Sequence, residues 1–153
     1  MSRHDDLHEG RRWLDTAGED LRAARTLRDA GMPAHACFLA QQCTEKAVKG
    51  VWYGAGEEPW GHSIQKLIQE GRAWEGLPDT KIWRETAAAL DRFYIPTRCP
   101  NGLPDLTPGQ SYFDRDAEEA LGMAAWVLQR CCGMLDAMDE ALSAGDISES
   151  EID

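Results

Sequence analysis

The chain has 153 residues and a mass of 17.0 kDa, room for one domain with one core. Apolar residues make up 42% and charged residues 28%, which excludes wholesale disorder. Sixteen basic residues against 27 acidic ones give a net charge of −11, which excludes a basic face for sequence-independent binding of nucleic acid and leaves room only for a local basic pocket.

Helical spacing dominates from the start. Leu14, Ala17, Leu21 and Ala24 recur at three and four, Leu27 extends the stripe, and Gly31 ends a helix expected over 13–30. Pro33 suits the first turn of a second helix over 34–53. Its apolar face is Ala34, Cys37, Phe38, Val48, Val51 and Trp52, with Gln41 as the polar interruption. Gly54, Gly56 and Pro59 form a loop, and a short helix on Ile64, Leu67 and Ile68 follows His62. Asp79 is placed to cap a helix over 80–94, striped by Trp83, Ala87, Leu90 and Tyr94. Between Ile95 and Tyr112 four prolines exclude a continuing helix, and a loop of that length is a place to look for function.

The last helix is expected over 114–142. Ala117, Leu121, Ala124, Leu128, Cys131, Leu135, Met138 and Leu142 keep a seven-residue period, the seam of a bundle. Met123, Trp126, Val127 and Met134 add apolar width beyond that seam, which together with six tryptophans points to a homodimer. No basic residue follows Arg130, and residues 146–153 read as an acidic flexible tail after a bundle domain over 1–145. The expected fold is all-α: an antiparallel up-and-down bundle of four long helices plus one short helix. Five cysteines without a CxxC pair argue for neither a disulfide framework nor a zinc site. With no signal-peptide core and no apolar run of membrane-spanning length, a cytoplasmic protein is expected, without metal or cofactor.

Several groups carry chemistry. His4 and His8 share a helical spacing with metal pairs but lack the HExxH glutamate, and an exposed polar start is the better account. Arg3 with His8 and Arg28 with His35 have spacings that serve RNA cleavage, but in a helical chain rich in arginine chance spacing is the better account. Gln42, Lys46 and Lys49 lie on adjoining turns and would line one side of a groove; a solvated face with a Glu45–Lys49 ion pair is the plainer alternative. Arg92 and Arg98 bracket a proline-stiffened corner holding Tyr94 and Thr97. Their guanidinium groups suit phosphate, and the tyrosine ring suits a base; a turn whose arginines cap helix ends accounts for the same residues.

Four stretches together resemble the HEPN domain, the higher eukaryotes and prokaryotes nucleotide-binding family. They are Ala40-Gln-Gln-Cys-Thr-Glu-Lys-Ala-Val-Lys49, Gly61-His62-Ser-Ile-Gln-Lys-Leu67, Asp91-Arg-Phe-Tyr-Ile-Pro-Thr-Arg-Cys-Pro-Asn101 and Asp116-Ala-Glu-Glu-Ala-Leu121. Cys99-Pro-Asn stands where the family tends to have Tyr-Pro-Asp. The resemblance implies a helical bundle that often pairs into dimers and often works with a separate minimal nucleotidyltransferase, as in toxin–antitoxin systems. Many members are metal-independent ribonucleases with an Arg-x(4–6)-His motif near the start of the last long helix. Here the last histidine is His62, so no histidine follows Arg98 and that motif is missing from its place. The resemblance is therefore to the branch with a Tyr-x-Pro-x-Arg loop, which implies binding of nucleotide, RNA or a partner rather than catalysis. Lys46, Lys49, His62, Tyr94 and Arg98 are the residues expected to converge on one anion-binding groove. A metal-independent ribonuclease and a ligand-free dimeric scaffold are the alternatives.

Overall fold

In the computed structural model the chain is all-helical, and the backbone is described over residues 1–150, with side chains over 1–145. The acidic tail expected at 146–153 lies outside the described side chains, and its last three residues lie outside the described backbone as well. The long helices are α1 (Arg3–Asp29), α2 (Pro33–Gly54), α4 (Thr80–Asp91) and α6 (Asp114–Ser150); α3 (Ile64–Glu70) and α5 (Pro108–Ser111) are short.

α1 starts ten residues before the expected position. Ser2 and Asp5 form a capping box, the Ser2 hydroxyl accepting from the Asp5 amide at 3.1 Å. Hydrogen bonds from Ser2 hold the Asp5 carboxyl below its usual value. From there Leu7, Gly10, Leu14, Ala17, Leu21 and Ala24 bury one continuous stripe. His4 and His8 thus sit on an ordered helix rather than a loose start. α4 ends at Asp91 rather than Tyr94, and residues 92–98 close into tight turns. Asp79 precedes α4 without capping it; its carboxylate takes Arg130 of α6 at 2.7 Å instead. The proline-rich stretch also holds a helical turn, α5, because Pro108 occupies a first-turn position and Thr107 with Gln110 forms a capping box.

α2 is the central helix. A three-residue turn returns it against α1, where Gly10 faces Gly50 and Gly54. α6 packs on both, with Gly54 against Leu135, while Trp83 of α4 meets Trp126 of α6 at 5.0 Å. Alanines and glycines line these contacts: Ala36, Ala40 and Ala47 of α2, Ala17 and Ala24 of α1, and Ala117, Ala120 and Ala124 of α6 are all fully buried. Small residues bring the helix backbones close and leave α2 enclosed along most of its length.

The apolar surplus of α6 turns inward. Val127 is fully buried, and Met123, Trp126 and Met134 are half-buried against the chain's own core. Burial pushes the Cys37 and Cys43 thiols up to about 12, so both are packing groups rather than nucleophiles. Among the described residues no helix is long and apolar enough to cross a membrane, and no group of three or more His, Cys, Asp or Glu is arranged to hold a metal ion.

Candidate functional site

The site begins with a carboxylate. Asp91, the last residue of α4, accepts from Ser63 Oγ at 3.0 Å, from the Ile64 amide at 2.7 Å and from the Gln65 amide at 3.1 Å. It satisfies the orphan amides at the start of α3, where Ser63 is the N-cap. This clasp binds the chain after His62 to the chain before Tyr94. Gly61, at φ 91°, supplies the left-handed turn that leads into His62. The imidazole then stacks on the Tyr94 ring, with centroids 5.1 Å apart and 18° between planes.

The turn beyond Tyr94 is held by the buried Thr97, whose hydroxyl donates to the Phe93 carbonyl, and by the Arg98 and Cys99 amides donating to the Ile95 carbonyl. It carries Arg98 back over the Tyr94 ring, 4.5 Å from its centroid, and near the Phe38 ring of α2 at 5.3 Å. Arg98 is exposed and has no ion pair or hydrogen-bonding side chain among the described residues; neighbouring Arg92 is in the same condition.

Under His62 lies Glu45 of α2, a residue only 5% exposed. Its Oε1 takes His62 Nδ1 at 3.0 Å and Lys49 Nζ at 2.8 Å, and its Oε2 accepts from Gln41 Nε2 at 3.1 Å. Gln42 donates to Gln41 in turn at 2.8 Å. A carboxylate only accepts, so His62 donates from Nδ1, and Nε2 has no partner among the described residues. The His62 side chain is 61% exposed, which leaves that nitrogen open to a ligand.

Four of the five expected residues thus come together: Lys49, His62, Tyr94 and Arg98. Lys46 does not join them. Its ammonium is held by Asp20 of α1 at 2.6 Å, and it lines a separate cleft of about 270 Å³ with Glu9, Arg12, Trp13 and Thr16. Tyr94 also differs from expectation, since its ring carries His62 and Arg98 instead of standing free for a base. The Glu45–Lys49 ion pair is present, but as part of this cluster and not on a solvated face. Sequence reasoning missed Glu45 as the hub, Phe38 as a support and Asp91 as the clasp. The available signal was Gln41 and Glu45, polar residues one turn apart on a buried stripe.

The cluster offers two outward nitrogen groups, the His62 Nε2 edge and the Arg98 guanidinium, braced by a shared tyrosine ring. Such a pair suits a phosphate, with the imidazole able to carry charge or move a proton.

The HEPN domain family model matches residues 11–135. TT1696 from Thermus thermophilus is 35% identical, with a TM-score of 0.75 over 85% of this chain and 98% of that one. ST0689, an archaeal HEPN homologue, is 35% identical with a TM-score of 0.70 over 83% of this chain and 98% of its own. The HEPN domain protein tm0613 from Thermotoga maritima is 28% identical with a TM-score of 0.63, over 82% and 98% of the two chains. No curated protein matches the chain.

Proposed function

Because the chain belongs to the HEPN domain family, we propose that it is a non-catalytic nucleotide-binding module whose phosphate site is His62 and Arg98. The observation that carries this reading is Arg98, an exposed guanidinium with no acid partner among the described residues, standing over the same ring as His62. Lys49 neutralises Glu45 behind the imidazole and keeps the local charge favourable to an anion. The protein partner that goes with this reading is a separate minimal nucleotidyltransferase, as in toxin–antitoxin systems.

Calorimetric titration with nucleoside mono-, di- and triphosphates tests the site. Arg98→Ala is expected to weaken binding by about thirtyfold, the loss of about 2 kcal/mol from a charge-assisted contact. Its melting temperature falls by no more than about 4 °C, since an exposed cation–π contact is worth about 1 kcal/mol at most. No heat with any of these ligands at millimolar concentration removes the reading, and a large fall in melting temperature makes Arg98 a structural brace instead.

A second reading, a metal-independent ribonuclease, draws on one observation. Glu45 fixes the His62 ring through Nδ1 and frees Nε2 for proton transfer. Cleavage of RNA in EDTA, lost in His62→Ala, would replace the binding reading.

The proposed assembly is a homodimer, as HEPN domains often are. On α6, Val127 is taken up by the chain's own core, while Met123, Trp126 and Met134 are half-buried and keep part of their apolar surface for such a contact. Exposed apolar side chains available to extend that face include Ile82, Leu106 and Phe113. Light scattering at tens of micromolar is expected to give twice 17.0 kDa, and a mass of 17.0 kDa overturns the dimer.

A further inference from the structure

Of the six tryptophans, five are buried or half-buried in the body of the protein. Trp60 is 86% exposed and meets no other ring among the described residues. It stands two residues before His62, between Pro59 and the left-handed Gly61. Two residues of chain span at most about 7 Å, so the indole and the imidazole rise from neighbouring points of one loop. The Tyr94 ring, the other aromatic of the site, is engaged by His62 and Arg98. A nucleotide held by its phosphate at His62 and Arg98 therefore finds an open aromatic ring, Trp60, on the loop that bears His62.

We propose that Trp60 is the base-stacking platform of this site. The inference rests on the phosphate site proposed above. The ligand it takes is a nucleoside phosphate recognised by stacking, without discrimination among bases, because every base presents a π-face. Charge sets the orientation. Glu58, exposed and without an ion-pair partner among the described residues, precedes Trp60 by two positions and repels phosphate, while His62, two positions after it, and Arg98 attract it. The indole is rigid and already solvent-facing, so stacking orders few side-chain torsions.

The test uses the full chain and two probes, adenosine 5′-monophosphate and inorganic phosphate, measured by calorimetry and tryptophan fluorescence. The nucleotide is expected to bind more tightly than phosphate and to quench fluorescence. Trp60→Ala is expected to weaken the nucleotide about tenfold, abolish most of the quench and leave phosphate affinity unchanged. Trp60→Phe retains most of the nucleotide affinity. Equal nucleotide affinity in wild type and Trp60→Ala overturns the proposal while the phosphate site stands. So does a halved mass in Trp60→Ala with unchanged affinity, which makes the residue a contact between copies. Binding of neither probe by the wild type overturns the phosphate site and this proposal together.

Discussion

Gly10→Ala is expected to lower the melting temperature by about 10 °C, a loss of about 3 kcal/mol, whereas Gly18→Ala on the same helix raises it slightly. A β-carbon at Gly10 would lie 2.7 Å from the Gly50 carbonyl oxygen and 3.1 Å from both the Gly54 Cα and the Gly54 nitrogen. All three atoms are backbone, so relief requires α1 and α2 to separate along their length. Alanine gains about 0.5–1 kcal/mol over glycine in a helix interior, which is too little to offset that separation. At Gly18 a β-carbon meets nothing within 4 Å, so the propensity gain stands alone. Thermal melts of the two variants give opposite signs. A Gly10→Ala protein as stable as the wild type would mean that the α1–α2 contact is looser than described.

Glu45→Ala is the other substitution with a large expected cost, about 3 kcal/mol, read as a lowered denaturation midpoint in urea. The carboxylate side chain is 6% exposed and the Lys49 side chain 13%, so removing the acid leaves an ammonium group with little water and no counter-charge. Gln41, fully buried, loses the acceptor of its side-chain amide at the same time. His62 contributes little to this cost, because its side chain is 61% exposed and recovers hydration. The double variant Glu45→Leu with Lys49→Met is expected to regain most of the lost stability, since it removes both charges and keeps the volume. A single variant within 1 kcal/mol of wild type would show that the hub contributes little to the fold.

The helices were legible where apolar residues alone mark the buried stripe. α6 shows this best: Leu121, Ala124, Cys131 and Leu135 keep the period and are buried. α1 shows the opposite. Its first turns carry the same stripe, but only Leu7 and Gly10 mark it among charged residues, so the stretch reads as an exposed polar start unless the facing Gly50 is known. α4 stops at Asp91 because the chain tightens into turns ahead of Pro96, which has no amide to continue the helix, and the Asp91 carboxylate then reaches α3, a long-range partnership that local spacing does not carry. The site residues were legible as a set of motifs, but not their directions. Lys46 and Lys49 lie one turn apart on α2, yet one leans to Asp20 of α1 and the other to Glu45 beside His62. Which flank each side chain faces depends on the neighbours of α2, and these are set by tertiary packing. Glu45 looked like half of a surface ion pair because a buried acid and an exposed one have the same local pattern.

The Asp91 clasp has a dynamic consequence. Three of its hydrogen bonds reach across 26 to 28 positions of sequence, from the end of one helix to the beginning of another. The loop bearing His62 and the loop bearing Arg98 therefore share one opening event: loosening either one exposes the same carboxylate and unmakes the same three bonds. The two loops form a single cooperative unit, so the backbone positions from which His62 and Arg98 project are kept in relation until that unit opens as a whole.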